Sequence, residues 1–322
     1  MANIGDVAKK AGVSINTVSR YLNNKGYISA KTRATIQQAI DELNYIPNQV
    51  ARNLFKNKTD LIGLVIPDVK HPFFSTITAF LENELDARNL KMILCNTVNS
   101  SEKEKGYIKM LQENKVDGII IGSHSIDIDY SNIKAPIVSL DRYLDPEIPT
   151  VSADHDKGGR LAAHALIKAG CNNVLQIAGY SQVDTPSNKR YRSFEAEMKR
   201  HQIPCATYEL AWNQFDLSSY IEVADEILTK YPDIDGIFSV DMVIIAILRQ
   251  ALKRGIEVPQ ALRLVGYDGT YMSQMTYPSF ASVVQPYEEL AKKAVELLVE
   301  LIDKKEVEQL IYELDVQLTE EP

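Results

Sequence analysis

The stretch from Ile4 to Leu22 constrains this chain more than any other, because it reads as two short amphipathic helices separated by one glycine-centred turn. Val7, Ala8 and Ala11 give the first helix an apolar face, Gly12 interrupts it, and Val13 plugs the turn. Ser14 has the chemistry of an N-cap, whose side-chain oxygen accepts from an otherwise orphaned backbone N–H. Val18 and Leu22, four residues apart, share the buried face of the second helix. Ile15, Asn16, Thr17, Ser19 and Arg20 are then left to solvent or to DNA. Two short helices joined by such a turn make a helix-turn-helix. That motif places its second helix in the major groove with the N-terminal residues toward the base edges.

Charge supports this reading once its distribution is followed. The whole chain carries a formal net charge of −8, which by itself argues against nucleic acid. Residues 1–58 hold nine Lys or Arg against three Asp or Glu, about +6, and leave about −14 for the rest. A basic module on an acidic body fits a DNA-binding head carried by a ligand-binding or catalytic body. Three widely spaced cysteines, Cys95, Cys171 and Cys205, give no disulfide framework and point to a reducing compartment. No export signal and no apolar run of transmembrane length is present, so the expected location is the cytosol.

After a polar turn at Asn23–Tyr27, Ser29 caps a third helix whose Ile36, Ala39, Ile40 and Leu43 recur at helical spacing and close a three-helix core. Pro47 ends it, because the residue before proline avoids helical backbone. Residues 49–58 suit a short helix, too short to stand alone, or a plain linker. Ordering on DNA is a third reading.

From Leu61 the pattern changes to short apolar runs alternating with helical segments. The runs are Leu61–Ile66, Met92–Cys95, Gly118–Gly122, Ile137–Asp141, Val174–Gly179, Ala206–Leu210, Gly236–Asp241 and Leu262–Asp268. Buried strands alternating with helices build parallel sheets covered on both faces. Ligands of such folds bind beyond the carboxyl ends of the strands, so a cleft between two such units is the expected site. No Gly-rich phosphate fingerprint, nucleophile elbow or metal-ligand spacing occurs, which argues against an enzyme and implies no cofactor and no metal. Asp154-His155-Asp156 looks metal-like, but neighbours on a strand point apart, and a solvated strand end is the expectation.

The head resembles that of the LacI/GalR family of bacterial repressors. The resemblance rests on Ile4-Gly5-Asp6-Val7-Ala8, Ala11-Gly12-Val13-Ser14, Thr17-Val18-Ser19-Arg20, Ser29 to Arg33, and Asn44-Tyr45-Ile46-Pro47-Asn48 through Ala51-Arg52-Asn53-Leu54. It implies base contacts by Ile15, Asn16 and Arg20, where Asn reads adenine, Arg reads guanine and Ile touches a thymine methyl. Leu54, on a hinge helix, would be the apolar wedge at the central minor-groove step. Ser14, Thr17, Ser19, Asn23, Thr32 and Asn48 would hold the phosphate backbone.

The body is similar to the same family's sugar-binding part, of periplasmic-binding-protein type, with two Rossmann-like subdomains crossed three times by the chain. The resemblance implies a head over 1–46, a hinge helix and linker over 47–59, and an effector-binding and dimerisation domain over 60–322. Subdomain one would be 60–156 with 286–311, and subdomain two 157–285 with 312–322. Phe73 and Phe74, in His71-Pro72-Phe73-Phe74, would supply an aromatic ring to the pocket, although either ring also suits the core. Arg190 would meet sugar hydroxyls, and Asp268 in Gly266-Tyr267-Asp268 would accept from two of them. Arg190 also suits a solvated helix face and Asp268 a turn. Trp212, the single tryptophan, suits the pocket or the core. Asp141 would bind ligand at a strand end or pair with Arg142. Val240 stands where many relatives carry Asn, and the tail lacks their arginine-serine ending.

The resemblance is nearest to the sucrose-operon repressor branch. It implies a homodimeric repressor of a carbohydrate operon, with a pseudo-palindromic operator and a sugar or sugar-phosphate effector, sucrose or a fructose-containing sugar among them. Three other readings stay open. They are a global catabolite regulator with a phosphorylated carrier protein as corepressor, a purine-responsive repressor, and a sugar-binding protein without regulatory activity.

Overall fold

The computed structural model describes residues 2–46, 58–98, 100–123, 125, 127–212, 214 and 216–319. The chain divides into two compact units, Met1–Thr59 and Asp60–Pro322.

In the first unit, helix α1 spans Ile4–Ala11 and is set by a reciprocal cap. The Asn3 side chain accepts from Gly5 and Asp6, and the Asp6 carboxylate accepts from the Asn3 N–H at 2.8 Å. It ends on Gly12 at φ 66°, a left-handed conformation that costs glycine nothing. Helix α2, Ile15–Leu22, starts at Ser14, whose Oγ accepts from the Thr17 N–H at 3.2 Å. Helix α3, Ala30–Glu42, repeats the device with Ser29 and Thr32. Val7, Ala8, Ala11, Val18, Ile36, Ala39 and Tyr45 form the small core.

The second unit contains two six-stranded sheets. Strands β1 (Leu61–Ile66), β2 (Lys91–Asn96), β3 (Gly118–Ile121), β4 (Ile137–Leu140) and β5 (Thr150–Ala153) lie in the first, ordered β5-β4-β3-β1-β2 and all parallel. Helices α4 (Pro72–Asp86) and α5 (Ser101–Glu113) connect its early strands. The chain then crosses to the second sheet through α6 (His155–Lys168), β6 (Val174–Ala178), α7 (Asn188–Arg200), β7 (Cys205–Glu209), α8 (Leu217–Lys230) and β8 (Gly236–Phe238). It continues through α9 (Asp241–Lys253), β9 (Arg263–Asp268), the short α10 (Tyr271–Gln274) and β10 (Ala281–Val284). Helix α11 (Tyr287–Ile302) returns to the first core, packing with Leu64, Leu81 and Val138. Leu175, Ile177, Ile244, Ile247 and Leu264 form one face of the second core. Ala162, Leu166, Phe194, Phe238 and Val283 form the other.

Two of the expected boundaries move. Strand β11 (Ile311–Leu314) pairs in parallel with β5, Ile311 against Thr150, so residues 312–314 belong to the first subdomain. Only β12 (Gln317–Leu318) joins the second sheet, antiparallel to β10, and the third crossing falls at Asp315-Val316 rather than after Ile311. Asp154-His155-Asp156 is not a solvated strand end. Asp154 caps α6 by accepting from the Lys157 N–H at 2.8 Å, which starts the second subdomain at His155. His155 is fully buried.

Candidate functional site

Helix α2 presents a mixed surface. Ile15 is 53% exposed although it is a large apolar residue, and Asn16 and Arg20, four apart, are exposed beside it. Four-residue spacing puts Asn16 and Arg20 on one face, so the helix offers an amide, a guanidinium and an apolar patch together. Ser14, Thr17, Ser19, Asn23 and Thr32 surround this face or the start of α3, and each already serves the local fold. Ser14 Oγ and Thr17 Oγ1 are 2.9 Å apart, as are Ser29 Oγ and Thr32 Oγ1, and Asn23 Nδ2 donates to the Ser19 carbonyl at 2.8 Å. Leu54 and Asn48 lie outside the described residues.

In the second unit, a cleft opens between the two sheets at the carboxyl ends of β1, β4, β6 and β9, enclosing about 1040 Å³ with its open mouth included. Concave sites at the strand ends of such folds are where small molecules bind. All six residues expected from the sequence line it: Phe73, Phe74, Asp141, Arg190, Trp212 and Asp268. Pro72 at the first turn of α4 fixes the chain direction there. Phe73 and Phe74 meet edge to face at 5.0 Å, Phe74 in the core and Phe73 half-buried beside Tyr287. Trp212 stands edge to face with Tyr180 at 5.6 Å, and the Arg142 guanidinium lies 5.7 Å from its ring centre.

The polar end of the cleft is built by α7 and β9. The Arg190 guanidinium packs 4.3 Å from the Tyr267 ring centre and 3.7 Å from Asp268 Oδ1. Its Nε and Nη1 are buried with no hydrogen-bond partner among the described residues. Burial opposes the Arg190 charge, but Tyr191, Asp268, Tyr267 and Asp141 more than offset it and raise the pKa. Asp268, at φ 113°, accepts from Gln285 Nε2 at 2.8 Å. Burial pushes its carboxyl up to about 7, against the pull of Arg190. A buried guanidinium with free donors beside a buried carboxylate with free acceptor capacity can bind a ligand that both donates and accepts.

Asp141 is held by His155 rather than by its neighbour. His155 Nε2 lies 2.6 Å from Asp141 Oδ1, and His155 Nδ1 lies 2.8 Å from the Tyr267 hydroxyl. Arg142 Nη2 donates to the Ser125 carbonyl at 2.8 Å. His155 therefore ties a strand end of the first sheet to β9 of the second. Two close approaches hold the arrangement: a Cβ at Gly158 would fall 2.5 Å from the Tyr267 hydroxyl, and one at Gly159 would fall 2.1 Å from the Arg190 carbonyl.

Sequence reasoning did not pick out His71, Tyr220 or Gln285, which also line the cleft. Burial drives the His71 pKa down to about 4, so it faces the cleft as neutral imidazole. Gln285 follows directly on β10, and that strand-end position was a signal available in the sequence. Val240 adds an apolar wall, and Asp241 after it turns inward to accept from the Thr270 N–H at 2.7 Å and from Ser282 Oγ at 2.5 Å.

A helix-turn-helix unit followed by a two-sheet body with a polar cleft at its strand ends defines a ligand-responsive DNA-binding regulator. Comparison with known proteins narrows the class. The family model for bacterial regulatory proteins of the lacI family matches residues 3–48, and that for a periplasmic binding protein-like domain matches residues 163–320. The chain is 39% identical to the sucrose operon repressor of Streptococcus mutans over 308 residues, 95% of this chain and 94% of that one. It is 36% identical to the ribose operon repressor of Halalkalibacterium halodurans over 320 residues, 99% and 96% of the two. The structure of the Lac repressor dimer bound to operator and the anti-inducer ONPF superposes with a TM-score of 0.87 at 26% identity, covering 99% of this chain and 98% of that one. The chain belongs to the LacI family of bacterial regulatory proteins. It is a transcriptional regulator and not an enzyme. No helix among the described residues is long and apolar enough to cross a membrane.

Proposed function

We propose that this protein represses a sucrose-utilisation operon and that sucrose, or a fructose-containing sugar or its phosphate, sets its operator affinity from the cleft. The coarser part follows from family membership: it is a sugar-responsive repressor of a carbohydrate operon, acting on operator DNA as a homodimer. The observation that supports the finer part is the cleft itself, whose lining combines the Arg190–Asp268 pair with the Phe73 and Trp212 rings. Sugars combine an apolar ring face with pairs of hydroxyls, and this pairing of aromatic walls with a fixed charge pair answers both. Sucrose is favoured among sugars because three sucrose operon repressors match at 36–39% identity.

In this reading Asp268 accepts from two hydroxyls, Arg190 donates from its free N–H groups, and Phe73, Phe74 and Trp212 pack the ring faces. Asp141, oriented by His155, contacts the ligand from the first subdomain. Ile15, Asn16 and Arg20 read bases, Leu54 wedges the minor groove, and Ser14, Thr17, Ser19, Asn23, Thr32 and Asn48 hold phosphates. Operator and effector then alter each other's affinity by the same factor.

The test is fluorescence anisotropy of a labelled operator fragment with the purified full chain at fixed salt. The panel holds sucrose, fructose, their phosphates and ribose. Sucrose or a fructose compound should shift the operator midpoint. A shift by ribose alone would transfer the protein to the ribose-responsive relatives, and no shift by any sugar would refute the reading of the cleft.

A further inference from the structure

We propose a transition-metal site on the outer face of the second subdomain, formed by His164, Glu197 and His201 and suited to Zn²⁺. His164 comes from α6, Glu197 from the last turn of α7, and His201 is the residue that ends α7. His164 Nε2 lies 2.8 Å from Glu197 Oε1, and His201 Nε2 lies 3.4 Å from the same oxygen. All three ligand atoms lie within 4.8 Å of one another. A tetrahedral ion with bonds of roughly 2.0–2.2 Å places its ligand atoms roughly 3.3 Å apart. The observed separations bracket that value, so the ion is accommodated by small rotations of two exposed imidazoles.

Several features favour an ion over a plain hydrogen-bonded cluster. Both imidazoles aim Nε2 at a single carboxylate oxygen, converging on one point from two helices. Glu197 is the buried member, 7% exposed and fixed in place, whereas His164 and His201 are open to solvent and leave an entry path. The site also lies at the end of α7, where unpaired carbonyls concentrate partial negative charge. One cation competes: Arg200 Nη1 is 3.5 Å from Glu197 Oε1, on a side chain 75% exposed that is free to swing away. Two imidazoles and a carboxylate select zinc, cobalt, nickel or copper over magnesium or calcium, which prefer all-oxygen shells. Three protein ligands leave a position for water. The ion would pin α6 to α7, the helices whose opposite ends carry His155, the partner of Asp141, and Arg190, which lines the cleft.

The test is calorimetric titration of the tag-free, metal-stripped full chain with ZnCl2, with CoCl2 absorption reporting nitrogen and oxygen ligation. One Zn²⁺ per chain is expected, with a raised thermal midpoint and no response to MgCl2. His164→Gln and His201→Gln should each weaken binding by at least about tenfold, since even second-shell partners are worth 10–100-fold. Both side chains are exposed, so the metal-free midpoint should not move. The proposal is overturned if Zn²⁺ in large excess does not bind saturably. It is equally overturned if the double variant binds as tightly as the parent, which would place the ion elsewhere.

Discussion

Gly159→Ala tests whether the close approach of α6 to α7 sets the position of Arg190. The added Cβ would sit 2.1 Å from the Arg190 carbonyl and 2.1 Å from Ser193 Oγ, while such contacts essentially never fall below 3.0 Å. Ser193 can rotate, but the carbonyl is backbone, so the start of α7 must retreat by about 1 Å. Overpacking of this kind costs about 1–3 kcal/mol. In a body of this size each kcal/mol lowers Tm by about 2–4 °C. Arg190 would retreat with its backbone and lose a charge-assisted hydrogen bond to the effector, worth about 1.5–3 kcal/mol, or roughly tenfold in affinity or more. The assays are a thermal melt of the full chain and the sugar dose needed to shift operator affinity. Gly106→Ala is the control. It lies within α5 with nothing within 4 Å of the new methyl, and should stabilise by about 0.4–1 kcal/mol. If Gly159→Ala leaves both Tm and the sugar midpoint unchanged, the glycine does not position Arg190 and the reasoning fails.

Arg20→Ala should remove about 1–3 kcal/mol of discrimination at one base pair and bring specific binding toward non-specific binding, read by competition between operator and unrelated DNA. Asp268, raised by burial to about 7, ionises over a window centred near neutrality, and the charged form is the better acceptor. Sugar affinity should therefore rise from about pH 6 to about pH 8, and Asp268→Asn should abolish the rise. For stability the sign reverses. The folded state keeps a proton that an unfolded aspartate releases near 3.9, so this contribution falls as pH climbs from about 4 to about 7. A pH-independent sugar midpoint would count against Asp268 as the acceptor. Trp212 is the sole tryptophan and lines the cleft, so effector titration should change intrinsic tryptophan emission. A silent titration with proven binding would move the ligand away from this wall.

Much of the architecture could be read from residue pattern because local chemistry and burial agreed. Ser14 and Ser29 cap as their positions demand, Gly12 adopts the left-handed turn, and runs such as Leu61–Ile66 become buried central strands. The pattern failed where burial was ambiguous. Ile311–Leu314 alternates exposed and half-buried positions at a sheet edge, which does not say which sheet it joins. The solvated strand end expected of Asp154-His155-Asp156 fails for a different reason: Asp154 caps a helix, and a buried histidine held by Asp141 and Tyr267 depends on partners 14 and 112 residues away. Such distant pairings have no local signature. The cleft aromatics Phe73, Phe74 and Trp212 were visible in sequence, and Gln285 had the signal of a strand end, but His71 and Tyr220 reach the cleft only through the assembled fold.

The tail strands have a consequence for how the body can be made and divided. Residues 311–314 complete one sheet and residues 317–318 border the other, with Asp315-Val316 between them. Neither sheet has all its strands until this final stretch has been synthesised, so the two halves of the body finish together. The chain passes between them at Asp154, at Gln285-Pro286 and at Asp315-Val316, so no single cut inside the body separates them cleanly: a fragment starting at His155 keeps every strand of the second sheet but also carries α11 and β11 away from the first. A fragment that keeps the ligand cleft must therefore run from about Asp60 through Leu318. Removing the last dozen residues would strip an edge from both sheets at once.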